Sequence, residues 1–244
     1  MNLLRSIGGL TARFRPGASR LPRDFELDFH EIYARCKPFT MTSPERMYAL
    51  YKAVQYVLRA GVAGDFVECG VWRGGSAMIV AISLLRAGVC DRRIYLYDTY
   101  GGMTAPTERD TDIEGGDARA AMARIVRNGQ RWCEASLEDV RNNMQSTGYP
   151  EDRIVFVKGK VEDTIPATSP EEIALLRLDT DWYESTYHEF VHLYPLLQPK
   201  GVLILDDYGH WQGAREATER YLSENSITLL LDRVDYTCRV AVKP

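Results

Sequence analysis

From residue 66 onward the chain alternates short apolar runs of strand length with stretches of helical length, and this alternation constrains the fold more than any other feature. The predicted strands are Phe66–Cys69, Arg93–Tyr97, Ile154–Val157, Ile173–Leu178, Val202–Leu205, Thr228–Leu231 and Cys238–Val242. The predicted helices are Ser76–Arg86, Asp117–Arg127, Leu137–Met144, Glu184–Leu197 and Gln212–Leu222. A helix between two strands carries the chain back so that the second strand runs parallel to the first, which yields a mostly parallel sheet covered on both faces. The last two strands have only Asp232–Thr237 between them and read as an antiparallel hairpin. The expected class is α/β, a doubly wound, seven-stranded sheet with helices on both faces and ligands beyond the carboxyl ends of its strands.

Upstream of this pattern, Met1–Phe39 is mixed and poorly periodic. At Thr42-Ser43-Pro44-Glu45 a helix signal begins, with Ser43 as N-cap and Pro44 at the first helical position. Residues 1–41 are therefore an N-terminal accessory arm and 42–244 one domain, long enough to bury a substantial core. Arg5, Arg13, Arg15 and Arg20 stand in the first twenty residues with no acid among them, while Gly8 and Gly9 break any secretory-signal core. A loosely docked basic arm is expected. No window is apolar enough for a membrane span. The net charge of −4 argues against nucleic acid as partner. Five scattered cysteines without a C-x-x-C pair suit reduced thiols in the cytoplasm.

The first strand leads into "FVECGVWRGGSAMIV", which places Gly70, Gly74 and Gly75 at a strand-to-helix turn. Such a turn lets backbone approach a ligand closely. It is neither the dinucleotide fingerprint nor a phosphate-binding loop, because Glu68 precedes the glycines and no G-K-[ST] follows. An acid at Glu68 suits a ligand with a cationic amine. The second strand ends at Asp98, placed to accept from ribose hydroxyls, and the third ends near Gly159 and Val161, placed to border an adenine. Together these strand ends look like an S-adenosylmethionine site.

The fourth strand ends at Asp179 and the fifth at Asp206-Asp207. Adjacent parallel strands would bring these carboxylates to one edge, where like charges raise one another's pKa unless a cation intervenes. All-oxygen ligation suits Mg²⁺, Mn²⁺ or Ca²⁺ rather than zinc. Asp181, two residues further on, is the candidate general base, and His210 is the competing one. The run His188-Glu189-Phe190-Val191-His192 matches the H-E-x-x-H zinc-peptidase signature, but it lacks the downstream continuation and Pro195 soon ends its helix. A connecting helix is expected there. Trp72, Tyr100, Trp182, Tyr183, Tyr208 and Trp211 stand near strand ends, suited to stacking on a sugar or adenine or to core packing.

In combination, "FVECGVWRGGS", "YLYDTYGGM", "VKGKVEDT", "LLRLDTDWYEST" and "GVLILDDYGHWQGAREA" resemble the macrocin O-methyltransferase family. The resemblance implies a Rossmann-like class I methyltransferase and methyl transfer from S-adenosylmethionine to a sugar hydroxyl of a glycoside, natural product or glycan, with Mg²⁺ orienting that hydroxyl. It implies Asp179, Asp206 and Asp207 as metal ligands and Asp181 as base. Thr42, Glu68, Gly70, Trp72, Gly74, Ser76, Asp98, Thr99, Gly159, Val161 and Asp179 would surround the cofactor. It also implies a lid at about residues 101–117, acidic and glycine-rich, and a homo-oligomer, dimer or higher. The alternative acceptor is a catechol or other small phenol, and a non-enzyme reading is a nucleotide-binding regulatory protein on the same fold.

Overall fold

The computed structural model describes residues 21–244, so the basic arm expected from Arg5 to Arg20 lies outside the described residues. The strands are β1 (Asp65–Cys69), β2 (Ile94–Asp98), β3 (Ile154–Lys158), β4 (Ile173–Leu178), β5 (Leu197–Leu205), β6 (Asp232–Arg233) and β7 (Arg239–Val242). They form one sheet in the order β3-β2-β1-β4-β5-β7-β6. β1 through β5 pair in parallel, while β7 runs antiparallel to both β5 and β6. This is the fold class that the alternation predicts. Because β1 lies between β2 and β4, the winding direction reverses there, and the crevice at that reversal is where such sheets bind ligands.

The helices are α1 (Leu27–Cys36), α2 (Pro44–Arg59), α3 (Gly75–Arg86), α4 (Ala118–Arg127), α5 (Leu137–Gln145), α6 (Val161–Thr164), α7 (Tyr183–Leu193) and α8 (Gln212–Glu224). Side chains alternate across each strand, so the sheet feeds two cores. Phe66, Leu96, Leu175 and Ile204 face one core with α1, α2 and α3. Val67, Tyr97, Leu176 and Leu205 face the other, with Phe190 and Leu193 of α7 and Tyr221 of α8. Ser43 caps α2 by accepting from Arg46 N–H at 3.1 Å, as its position predicts.

Three elements differ from the sequence reading. The stretch set apart as an accessory region contributes α1, whose Phe29, Ile32 and Cys36 are fully buried against the first core. Its short apolar spacing became legible only through the partners it packs on. The predicted strand Thr228–Leu231 does not pair, and β6 occupies Asp232–Arg233 instead. Alternation there sets which side chains face the second core, while Leu230 points to solvent at 86% exposure; it does not create a partner edge. The helix predicted to Leu197 ends at Leu193, and after a tight turn through Pro195 the chain enters β5 at Leu197. None of the five cysteines is paired, and no helix among the described residues is long and apolar enough to cross a membrane.

Candidate active site

Period-2 alternation on adjacent strands builds the centre of the site. Glu68 of β1 stands opposite Arg177 of β4, and both belong to the face shared with Phe66 and Leu175. Arg177, only 3% exposed, donates to Glu68 Oε1 at 2.7 Å and to Asp206 Oδ1 at 2.7 Å, and its Nη1 lies 2.6 Å from Asp179 Oδ2. Burial opposes the guanidinium charge, but these three carboxylates outweigh it and hold Arg177 firmly protonated. Arg46 of α2 reaches the second oxygen of Asp206 and lies 3.1 Å from Asp235.

Beyond the strand ends, one oxygen each from Asp179, Asp206 and Asp207 lie within 4.8 Å of one another. Asp181 joins them, within reach of Asp207. Burial raises the carboxyl pKa of Asp179, Asp181 and Asp207 well above the ordinary range, and mutual repulsion adds to it, with Asp179 acting on Asp181 and Asp181 on Asp207. Six acids, Glu68, Asp179, Asp181, Asp206, Asp207 and Asp235, are thus gathered around two guanidiniums. Asp207 Oδ2 is buried with no donor facing it. That orphaned oxygen and the surplus of carboxyl groups over guanidiniums fit a hard divalent cation, whose binding would satisfy both.

The remaining wall comes from the glycine turn. Gly70 has φ +84, and a Cβ there would stand 1.9 Å from Asp179 O, so only glycine lets β1 and β4 close at this point. Asp98 clamps the turn: its Oδ2 accepts from Val71 N–H (2.7 Å) and Trp72 N–H (3.0 Å), and its Oδ1 from Tyr100 N–H (2.7 Å). The ribose role expected of Asp98 would therefore share a carboxylate that already organises backbone.

A cavity of about 490 Å³ spans the turn and the acids, within the usual range for small-molecule sites. Thr42, Glu68, Gly70, Trp72, Ser76, Asp98, Thr99, Gly159 and Val161 all line it, together with Asp179, Asp181, Asp206, Asp207 and His210. Gly74 does not. Its left-handed backbone forms the N-cap of α3, where a Cβ would face Val140. His210 stands at the rim with Nδ1 buried and unpartnered, its ring edge-on to Trp211 at 4.6 Å.

Residues missed in the sequence include Arg46, Arg177 and the segment Phe39-Thr40-Met41, which lines the cavity ahead of the expected domain boundary. Arg177 did leave a signal, a lone cation inside the apolar run "IALLRL". Of the six aromatic residues considered, Trp72 and Trp211 line the cavity. Tyr100 and Tyr183 are buried, and the Tyr208 hydroxyl donates to Glu219. Trp132, Trp182 and Trp211 pack edge to face. The stretch expected as a lid is tied over them: Trp182 Nε1 donates to Thr104 O at 3.0 Å, Gln212 N–H to Thr111 O at 2.8 Å, and Tyr183 N–H to buried Asp110 at 2.8 Å. The H-E-x-x-H run lies in α7, the connecting helix expected there, with Glu189 buried and His188 bonded to Ile165 O at 2.9 Å.

The family model described as macrocin-O-methyltransferase (TylF) matches residues 34–243. The 8-demethyl-8-(2,3-dimethoxy-alpha-L-rhamnosyl)-tetracenomycin-C 4'-O-methyltransferase of Streptomyces olivaceus is 34% identical over 199 residues, covering 81% of this chain and 73% of that protein. The mycinamicin III 3''-O-methyltransferase of Micromonospora griseorubida is 34% identical over 197 residues, covering 80% and 75%. The structure of the O-methyltransferase NovP superimposes with a TM-score of 0.74 at 30% identity, covering 84% of this chain and 82% of that one.

Proposed function

The chain belongs to the macrocin O-methyltransferase family and is an O-methyltransferase; from that premise we propose that it moves a methyl group from S-adenosylmethionine to a sugar hydroxyl of a glycosylated natural product, with a divalent cation, Mg²⁺ foremost, at Asp179, Asp206 and Asp207. The observation that carries this reading is the junction of two half-sites in one cavity, the Glu68–Ser76 turn on one side and the acid cluster on the other. The relative whose name specifies a rhamnosyl-tetracenomycin, beside the one named for mycinamicin III, supports the acceptor class.

S-adenosylmethionine supplies a methyl group on a sulfonium, and a cation at the acid cluster supplies positive charge beside the acceptor hydroxyl. The protein's own residues do the rest. Glu68 would hold the cofactor's amine, and the Val71–Trp72 backbone, held by Asp98, would form the wall beside its ribose. Asp181 accepts the hydroxyl proton at a carboxylate oxygen; the raised basicity of this buried group serves that task. Trp132 and Trp211 line that side and offer an apolar wall to a sugar face, with buried Trp182 packed against both. Displacement at a methyl group demands alignment more than covalent help, so positioning dominates.

The test is methyl transfer from labelled S-adenosylmethionine to a panel of deoxysugar glycosides and catechols, with and without EDTA. Transfer to glycosides that EDTA abolishes and Mg²⁺ restores is the expected result. Indifference to EDTA would remove the metal, and transfer to catechols alone would remove the sugar acceptor.

A further inference from the structure

The histidine-bearing run of α7 holds a group that the reaction above leaves unused. Glu189 is 0% exposed, and no arginine or lysine forms an ion pair with it among the described residues. Its Oε1 accepts from the Thr180 hydroxyl at 3.0 Å, its Oε2 has no partner, and the Cys69 thiol lies beside it. Burial holds its carboxyl well above the ordinary range.

Its place in the fold explains what it reaches. Arg177 and Asp179 contact each other on one face of the sheet end. Leu178, Cys69 and Phe190 lie on the other, where α7 packs, and Thr180 turns its hydroxyl to that side. The next residue, Asp181, has φ +67, an uncommon conformation for a residue with a side chain. It sits at the apex of a three-residue turn closed by Trp182 N–H to Thr180 O at 2.8 Å. A turn of this kind persists only where its surroundings hold it. Beyond it, Tyr183 N–H is held by Asp110; before it, Thr180 is held by Glu189.

We propose that Glu189 is a positioning residue for methyl transfer: by accepting the Thr180 hydroxyl beneath the sheet end, it fixes the left-handed turn that aims Asp181 into the cavity. The inference rests on the reading of Asp181 as the base.

The test uses the full chain with Thr180→Val, Glu189→Met, Glu189→Gln and the double variant Thr180→Val/Glu189→Met. Hydrogen exchange at the Trp182 amide is read without ligand, alongside kcat, acceptor KM and S-adenosylhomocysteine affinity. Thr180→Val and Glu189→Met are expected to accelerate that exchange and lower kcat by about 10- to 100-fold, the cost of a misplaced reacting group. Cofactor-product affinity should stay within about twofold in both. Glu189→Gln keeps a carbonyl acceptor and should restore wild-type exchange and kcat. The double variant should be no worse than the poorer single one, because both substitutions remove the same bond. Unchanged exchange and kcat in Thr180→Val overturns the proposal, even if Glu189→Met fails to fold. So does a Glu189→Gln enzyme as impaired as Glu189→Met, or single effects that multiply. A wild-type protein inert toward every acceptor would instead defeat the proposed function, while exchange at Trp182 would still decide the clamp.

Discussion

Arg177 and Glu68 face each other in the β1–β4 register, joined at 2.7 Å although 109 residues separate them in the chain. The pair is not an isolated ion pair, because the same guanidinium also holds Asp179 and Asp206. It serves as the counterion around which the acid edge is built. Arg177→Met should therefore destabilise the fold by about 3–5 kcal/mol, since it leaves buried carboxylates without their cation. Urea unfolding followed by far-UV circular dichroism measures this. A loss below about 1 kcal/mol would show that the acids find other compensation.

Asp181→Asn removes the proposed proton acceptor while keeping shape. S-adenosylhomocysteine affinity should stay near wild type, and kcat should fall by about 10²- to 10⁴-fold, the usual weight of a general base. Single-turnover methyl transfer and calorimetric binding separate the two effects. Full activity would transfer the role to His210, whose unpartnered Nδ1 stands at the same rim.

Cofactor binding should depend on pH through Glu68. Burial pushes its carboxyl up to about 7 against the opposing pull of Arg177. Below that value Glu68 is largely protonated, and a cationic amine favours the ionised form, so binding releases a proton. Affinity then rises with pH by up to about tenfold per unit below pH 7 and levels off above it. Calorimetry in buffers of different ionisation enthalpy counts the proton, and Glu68→Gln should flatten the profile. An affinity independent of pH between about 6 and 8 would separate Glu68 from the amine.

Asp110 links the stretch 101–117 to the acid edge. It is fully buried, accepts from Tyr183 N–H, and receives both the N–H and the hydroxyl of Thr107. Gly213 lies close against it, where a Cβ would stand 2.1 Å from its Oδ1. Asp110→Ala should cost about 1–3 kcal/mol of local stability, read as faster proteolysis within residues 101–117 and a raised acceptor KM. Unaltered cleavage and KM would show that the aromatic contacts of Trp182 and Trp211 hold this stretch without the carboxylate.

The sequence alone determined the class of sheet, because strand and helix periods are local and a parallel crossover needs its helix. It also determined which acids stand at strand ends, since a strand's end is where an apolar run stops. Asp179, Asp206 and Asp207 were legible on that ground, and all three line one cavity. Gly70 was legible as a turn residue, though not that Asp179 O is the atom it makes room for.

What the tertiary structure alone decided are the partners that make those acids tolerable together. Arg46 meets Asp206 across 160 residues, Ser43 meets Asp235 across 192, and Asp110 meets Tyr183 across 73. No period or spacing records such pairs, because each side chain's local pattern is satisfied whether or not the distant one arrives. The helix Leu27–Cys36 and the unpaired run Thr228–Leu231 follow the same rule. Local pattern specifies which face is apolar; only packing specifies what covers it. Glu189 shows the division most plainly. The sequence presents it inside a metal-binding signature, and the fold turns it away from both histidines and onto Thr180.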